Sequence, residues 1–122
     1  CRRGSDPEAA AAAAADFLEG AGVSPLSLCA VASIDLKRDE GALIVLAERY
    51  GVPFLTFSAD ALRAAPGRFS ASDRVLEVTG VDNVCERAAV LAAGNGVLLR
   101  SKARYPGMTF ALARRRWVEE EM

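Results

Sequence analysis

An apolar segment that ends abruptly in charged residues is the feature that most constrains the fold of this chain. The segment Leu28 to Ile34 is nearly all apolar, Asp35 and Lys37 follow it, and an amphipathic pattern begins two residues later. This is the pattern of a buried strand that delivers polar groups to its carboxyl end before a helix. Ligands of open α/β sheets bind outside the carboxyl ends of the strands, so we expect Ser33, Asp35 and Lys37 to lie at a site.

Helical and extended segments alternate along the rest of the chain. Asp6-Pro7-Glu8 is typical of a helix start, with Asp6 as N-cap, and this helix is expected to run to about Leu18 and stop at Gly20. Gly51 is expected to close the helix that follows the first strand. The further predicted elements are a strand from Pro53 to Phe57, a brief helix capped by Ser58, a short helix from Ser70 or Ser72 to about Val78, a helix from Val81 to about Ala93 with Asp82 as N-cap, and strands Val97 to Leu99 and Met108 to Ala113 joined by a KARYPG loop.

This alternation predicts the α/β class, arranged as a three-layer α/β/α sandwich. The last two strands are too close for a helical crossover, so the sheet is expected to be mixed and mostly parallel. The 122 residues are enough for one domain, 1–122, of which about 114–122 forms a charged tail. The chain begins at Cys1 rather than Met, and we expect a strand that leads into CRRG to precede it.

Composition excludes several classes of function. The net charge of -1 gives no global basic field, so no nucleic-acid partner is expected. No apolar run reaches the roughly 18 residues of a membrane span, and no signal peptide is visible. The three cysteines are irregularly spaced, which indicates reduced thiols and a cytoplasmic protein. With no histidine, no CxxC, no P-loop and no dinucleotide fingerprint, neither a metal nor a cofactor is expected.

Cationic residues in predicted loops are candidates for binding an anion, and a predicted helix start offers backbone donors beside them. The substrate-binding candidates are Arg2, Arg3, Ser33, Asp35, Lys37, Asp82, Asn83, Lys102 and Arg104. Asp35 and Glu86 are candidates for general acid or base chemistry. Each group also has a simpler interpretation: solvated loops for the cations, a plain N-cap for Asp82, and a residue that complements the helix dipole for Glu86.

Four motifs in order give the chain a resemblance to one family. CRRG, then ASIDLKRDE with LAERYGVPFLTFSADAL, then GVDNVCERAAVLAAG, then LLRSKARYPGMTFALAR together resemble the CobE/CbiG C-terminal domain family of cobalamin biosynthesis, from Cys1 to about Arg114. The family often has lysine at both ends of a K-x-K motif, where this chain has Lys102-Ala103-Arg104. It also often has proline where this chain has Gly41.

The resemblance implies a function in cobalamin biosynthesis. In this family the domain is the C-terminal part of the cobalt-precorrin-5A hydrolase, which opens a ring lactone and releases acetaldehyde, or it stands alone as CobE-like proteins. It implies roles for the IDLK motif, Glu40, the segment from Gly80 to Glu86, and Lys102. We expect a CobE-like protein that binds a precorrin-type tetrapyrrole through cationic loops. The alternatives are a lactone-opening hydrolase and an adaptor that docks onto other enzymes of the pathway.

Overall fold

Four helices and four strands form along the residues that the computed structural model describes, which are 4–67, 69, 81 and 83–115. In chain order they are α1 (Pro7–Ala21), β1 (Val31–Ile34), α2 (Gly41–Tyr50), β2 (Phe54–Phe57), α3 (Ala59–Arg63), α4 (Val84–Ala92), β3 (Val97–Tyr105) and β4 (Met108–Arg114). Short 3-10 turns occupy Pro25–Ser27 and Asp35–Lys37. The short helix predicted between Ser70 and Val78 lies outside the described residues.

Local capping residues fix most helix ends where the sequence predicts them. The side chain of Asp6 accepts a hydrogen bond from the backbone N–H of Glu8, and Pro7 takes the first helical position. Ser58 caps α3 by accepting from the N–H of Ala61. Gly51 ends α2 in the left-handed conformation, with φ of 66°. These ends depend only on near neighbours in the chain, which is why sequence reasoning finds them.

Two helix boundaries differ from the prediction. Helix α1 runs past Gly20 to Ala21, because it is Gly22 that adopts the left-handed conformation, with φ of 70°. The N-cap of α4 is Asn83 rather than Asp82. Asn83 has φ of 51° and its side chain accepts from the N–H of Glu86. Asparagine tolerates this left-handed backbone better than most residues.

The prediction of a KARYPG loop was wrong, because most of that segment belongs to β3. Strand β3 runs to Tyr105, and only Pro106 and Gly107 remain as a turn before β4. Gly107 has φ of 75°, which fits the proline-then-glycine order of a type II turn. The register shifts between Leu98 and Arg100 and again between Arg100 and Ala103, so β3 carries two bulges.

The described strands pair as two separate two-stranded sheets. Strand β1 pairs with β2 in parallel, with Val31 opposite Phe54 and Ile34 opposite Phe57. Strand β3 pairs with β4 in antiparallel orientation, with Tyr105 opposite Met108. The predicted α/β class, with parallel and antiparallel pairing, is therefore confirmed, and the two pairings do not share a ladder within the described part of the chain.

The helices form two layers on opposite faces of the strands. Helices α1 and α2 pack together, and the ring of Phe17 in α1 stacks on that of Phe110 at 5.8 Å between centroids. Helix α4 packs with α3 and against both β1 and β4. Thr109, next to Phe110, hydrogen-bonds Cys85 of α4. Because neighbouring strand residues point to opposite faces, α1 and α4 lie on opposite sides of β4.

Polar contacts at the surface join α1 to α2 and to β3. Arg49 of α2 forms an ion pair with Glu8 of α1. The hydroxyl of Tyr105 donates to Asp16 at 2.9 Å, which ties the end of β3 to α1. This bond raises the pKa of Tyr105 above its ordinary value. None of the helices described here is both long and apolar enough to cross a membrane.

Gly96 allows the close approach of β3 to β4, and we expect Gly96→Ala to destabilise the fold. An added Cβ would collide with the carbonyl oxygen of Arg114 and the Cβ of Ala93. Overpacking of this kind costs about 1–3 kcal/mol, measured as a lower urea midpoint at unchanged m-value.

Gly20→Ala is the matched control, because a Cβ at this position in α1 meets no atom within 4 Å. Alanine is the better helix former, so this variant should gain about 0.5–1 kcal/mol. A Gly96→Ala variant as stable as the parent would contradict the proposed collision.

Candidate functional site

The start of α4 lies beside the carboxyl end of β1. Ile34, the last residue of β1, shares a buried cluster with Val81, and Val84 in the first turn of α4 packs against it. The segment that enters α1 reaches the same edge, because the N–H of Gly4 donates to Glu40 at 3.0 Å. Glu40 is buried and is also the N-cap of α2, where it accepts from the N–H of Ala42. The sheet edge therefore collects the starts of several helices.

The carboxyl end of β3 lies at this edge as well. Met108, which directly follows the β3–β4 turn, packs in a buried cluster with Ala10 in the first half of α1, and Tyr105 packs against that cluster. The turn is therefore near the start of α1, and β3 runs towards the same edge as β1. This direction brings Lys102 and Arg104 close to the residues that follow β1.

A cavity of about 1430 Å³ opens between the two sheets. The predicted site residues that line it are Ser33, Lys37, Asn83, Lys102 and Arg104. Asp35 is half-buried in the 3-10 turn and is not among the lining residues, and neither is Glu86. Arg2, Arg3 and Asp82 lie outside the described residues, so their roles stay predictions.

Glu86 is a buried carboxylate that joins α4 to β3. Only 2% of it is exposed. One carboxylate oxygen accepts from the side-chain amide of Asn83 at 2.6 Å, and the other accepts from the backbone N–H of Lys102 at 2.5 Å. Both oxygens are therefore engaged in holding the start of α4 against β3. Glu86, predicted as a catalytic candidate, therefore positions α4 against β3 and is not an exposed acid.

The second bulge of β3 explains how Lys102 can make this bond. Arg100 pairs with Leu112 and Ala103 with Phe110, so three steps on β3 match two on β4. A bulge leaves an extra residue outside the ladder and turns its backbone groups to other partners. At this bulge the N–H of Lys102 bonds to Glu86, which fixes the backbone that carries its side chain.

Cys85 in the first turn of α4 is a half-buried thiol that lines the cavity. Burial raises the pKa of Cys85 above its ordinary value of 9.0, and the charge of Glu86 raises it further, while a hydrogen bond with Thr109 and the charge of Lys102 oppose this. Its sulfur lies 3.6 Å from the amide oxygen of Asn83. Among the residues described, no group of three or more histidine, cysteine or acidic side chains is placed to hold a metal.

Sequence reasoning also missed two partly buried hydrogen bonds at this site. The bond from Gly4 to Glu40 and the bond from Lys102 to Glu86 each join residues far apart in the chain. The only local signal was an acidic residue near each helix start, and that pattern is equally typical of a residue that complements the helix dipole.

Replacing Glu86 should destabilise the fold more than replacing an exposed acid. In Glu86→Ala the N–H of Lys102 and the amide of Asn83 lose their acceptor inside the protein, at an expected cost of about 2–4 kcal/mol. Exposed Glu48 on α2 is the control, and Glu48→Ala should change the free energy of unfolding by less than about 0.5 kcal/mol. Equal effects in urea denaturation would contradict the positioning role.

The two described cysteines should react with a thiol reagent at different rates. In a Cys1→Ser background at pH 8, exposed Cys29 should be labelled by a disulfide reagent at least about tenfold faster than Cys85, whose raised pKa leaves less thiolate. Because folding raises this pKa, Cys85 stabilises the fold below pH 9.0 and loses that contribution as the pH rises further. Equal labelling rates of Cys29 and Cys85 are expected only in denaturant. Equal rates in the native protein would contradict the partial burial of Cys85.

Comparison with known proteins identifies the family. A family model described as "Cobalamin synthesis G C-terminus" matches residues 1–113. The chain is 36% identical to Protein CobE of Sinorhizobium sp, over 93% of this chain and 75% of that protein. It is 39% identical to the cobalt-precorrin-5A hydrolase of Salmonella typhimurium over 92% of this chain, but it spans only 32% of that enzyme.

Solved structures show the same relationship. The crystal structure of CobE, a protein from the cobalamin (vitamin B12) biosynthetic pathway, matches with a TM-score of 0.86 at 35% identity, over 95% of this chain and 86% of that one. The structure of cobalamin biosynthesis protein chiG from Agrobacterium tumefaciens shares the fold, with a TM-score of 0.69 at 23% identity, over 96% of this chain and 94% of that one. The chain is therefore a CobE-like protein of cobalamin biosynthesis and belongs to the family of the cobalamin synthesis G C-terminal domain.

Proposed function

We propose that this protein binds a precorrin-type tetrapyrrole at the sheet edge where β1 and β3 end. The observation that carries the proposal is that Lys37 and Lys102, from unconnected elements, line the same cavity. Precorrin-type molecules are flat and apolar in the macrocycle and carry a fringe of carboxylates. Two separated cations beside an apolar wall match that distribution of charge.

Residues near Lys37 and Lys102 add further charged, polar and apolar surface that suits a tetrapyrrole. Arg104, two residues beyond Lys102 on β3, also lines the cavity. Ser33 and Asn83 add polar side chains to the cavity wall. Leu36, between Asp35 and Lys37, is 51% exposed and offers apolar surface for a macrocycle. Arg2 and Arg3 are proposed to add charge from the segment that enters α1.

Binding is better supported than hydrolysis. A lactone-opening reaction needs a base that reaches the substrate, yet Asp35 does not line the cavity and both oxygens of Glu86 bond to protein donors. The chain also spans about a third of the hydrolase that it resembles. We therefore propose that the protein holds or delivers a pathway intermediate, in the cytoplasm, to an enzyme that acts on it.

Titration of a precorrin intermediate, followed by absorbance or fluorescence, tests this proposal. We expect saturable binding that weakens about 10- to 100-fold in the Lys37→Ala/Lys102→Ala double variant, since each cation lost removes a charge-assisted bond. Binding should also weaken as salt is raised, because the contacts are at the surface.

The control is a double variant with the same change in net charge elsewhere. Arg49 and Arg63 pair with Glu8 and Asp60 on exposed helix surfaces, so Arg49→Ala/Arg63→Ala should bind as the parent does. Equally weakened binding in both double variants would mean that the change in net charge, and not the position of Lys37 and Lys102, causes the loss of affinity. Absence of saturable binding would overturn the proposal and favour an adaptor that docks onto a pathway enzyme.

A further inference from the structure

Glu40 is an unusual residue at the start of a helix. It is the N-cap of α2, yet N-caps are preferentially serine, threonine, aspartate or asparagine, whose short side chains reach the free N–H groups of the first turn. Only 3% of Glu40 is exposed, so a carboxylate is buried where a hydroxyl would cap the helix without placing a charge inside the protein. The needs of α2 therefore do not account for a glutamate at this position.

The longer side chain of Glu40 reaches a distant part of the chain. One carboxylate oxygen accepts from the backbone N–H of Gly4 at 3.0 Å, across a separation of 36 positions. The other accepts from the N–H of Ala42 in its own helix at 3.4 Å, which is longer than most hydrogen bonds of this kind. The shorter of the two bonds therefore ties α2 to the segment that enters α1.

The backbone of Glu40 holds the turn that carries Lys37. Its N–H donates to the carbonyl oxygen of Lys37 at 2.9 Å, and within the turn the N–H of Arg38 donates to the carbonyl oxygen of Asp35 at 3.1 Å. Because the side chain of Glu40 is anchored to Gly4, a contact outside the turn fixes where this N–H lies. Release of Glu40 would let the backbone of Lys37 move, and with it a side chain that lines the cavity.

Glu86 has a similar relation to the second lysine of the site. Both acids are buried near the start of a helix, both bond to a backbone N–H of another segment, and neither lines the cavity. Glu86 bonds directly to the N–H of Lys102, whereas Glu40 holds the carbonyl of Lys37 through its own backbone. Each lysine thus has a buried glutamate behind it.

We propose that Glu40 is a positioning residue for Lys37 in ligand binding, and that its bond to Gly4 fixes it in this role. The role rests on the proposed function, because the ligand is the tetrapyrrole that Lys37 is proposed to bind. A cation on an ordered backbone loses less entropy when it meets a carboxylate. Release of Glu40 therefore lowers the affinity without removing a charge from the cavity.

A Glu40→Asp variant separates the two bonds of Glu40. Aspartate is a preferred N-cap, so the cap of α2 is kept, but the side chain is one methylene shorter and does not reach Gly4. We expect hydrogen exchange at the amides of Gly4, Arg38 and position 40 to quicken by about tenfold or more, with exchange in the middle of α2 unchanged. The affinity for a precorrin intermediate should fall about five- to tenfold.

The same substitution in a Lys37→Ala background shows whether Glu40 acts through Lys37. There Glu40→Asp should change the precorrin affinity by less than about twofold, because no lysine is left to be positioned. Glu48→Asp is the matched control, since it is the same chemical change at an exposed position of α2. This control should leave both the amide exchange of the turn and the affinity as they are in the parent.

Unchanged exchange at Arg38 and position 40 in Glu40→Asp would overturn the positioning role. Exchange that quickens throughout the protein would also overturn it, because the cause would then be general destabilisation. An equal loss of affinity with and without Lys37 would overturn the action through Lys37. If the parent binds no precorrin, the proposed function fails and the affinity effect fails with it, whereas exchange in the turn still decides whether Glu40 holds the backbone of Lys37.

Discussion

The hydrogen bonds of buried Glu86 are the constraint on which the arrangement of the site depends. A carboxylate in the interior is tolerated only where donors satisfy it, and here the donors are the side chain of Asn83 and the backbone of Lys102. Lys102 can supply its N–H because the β3 bulge removes it from the ladder, and Asn83 is positioned because it caps α4. Glu86, the β3 bulge at Lys102 and the N-cap Asn83 thus form one unit. Loss of any one of them leaves hydrogen-bonding groups of the others unsatisfied inside the protein.

This unit explains how buried Glu86 can fix the backbone that carries the charged side chain of Lys102. Lys102 extends from a backbone that is anchored below it, whereas a lysine at a hairpin tip would sample many positions before it met an anion. Lys37 follows β1 in a 3-10 turn whose Arg38 N–H bonds to Asp35, so its backbone is also constrained. Two cations on ordered backbones lose less entropy when a multivalent carboxylate ligand binds.

The sequence predicts features set by near neighbours and misses those set by tertiary contact. Asp6, Ser58 and Gly51 act within a few residues, so their caps were found. Asp82 and Asn83 are both good N-caps, and only the left-handed backbone at Asn83, with its contact to Glu86, decides between them. The bulges of β3 interrupt the alternation that reveals a strand, which is why Lys102 and Arg104 were assigned to a loop. The functional family was found because four motifs occur in a fixed order, a signal that no single residue carries.

The cavity and the proposed ligand constrain each other. Lys37 and Lys102 are half-buried, whereas the wall that α1 contributes is apolar, so the carboxylates of the proposed tetrapyrrole would meet the two cations at the rim of the cavity. Contacts at a rim are charged and solvated, so selectivity there comes from the spacing of carboxylates more than from burial of the ring. A ligand bound at such a rim would keep one face exposed. The proposed delivery of an intermediate requires this, because the enzyme must reach the ligand before it is released.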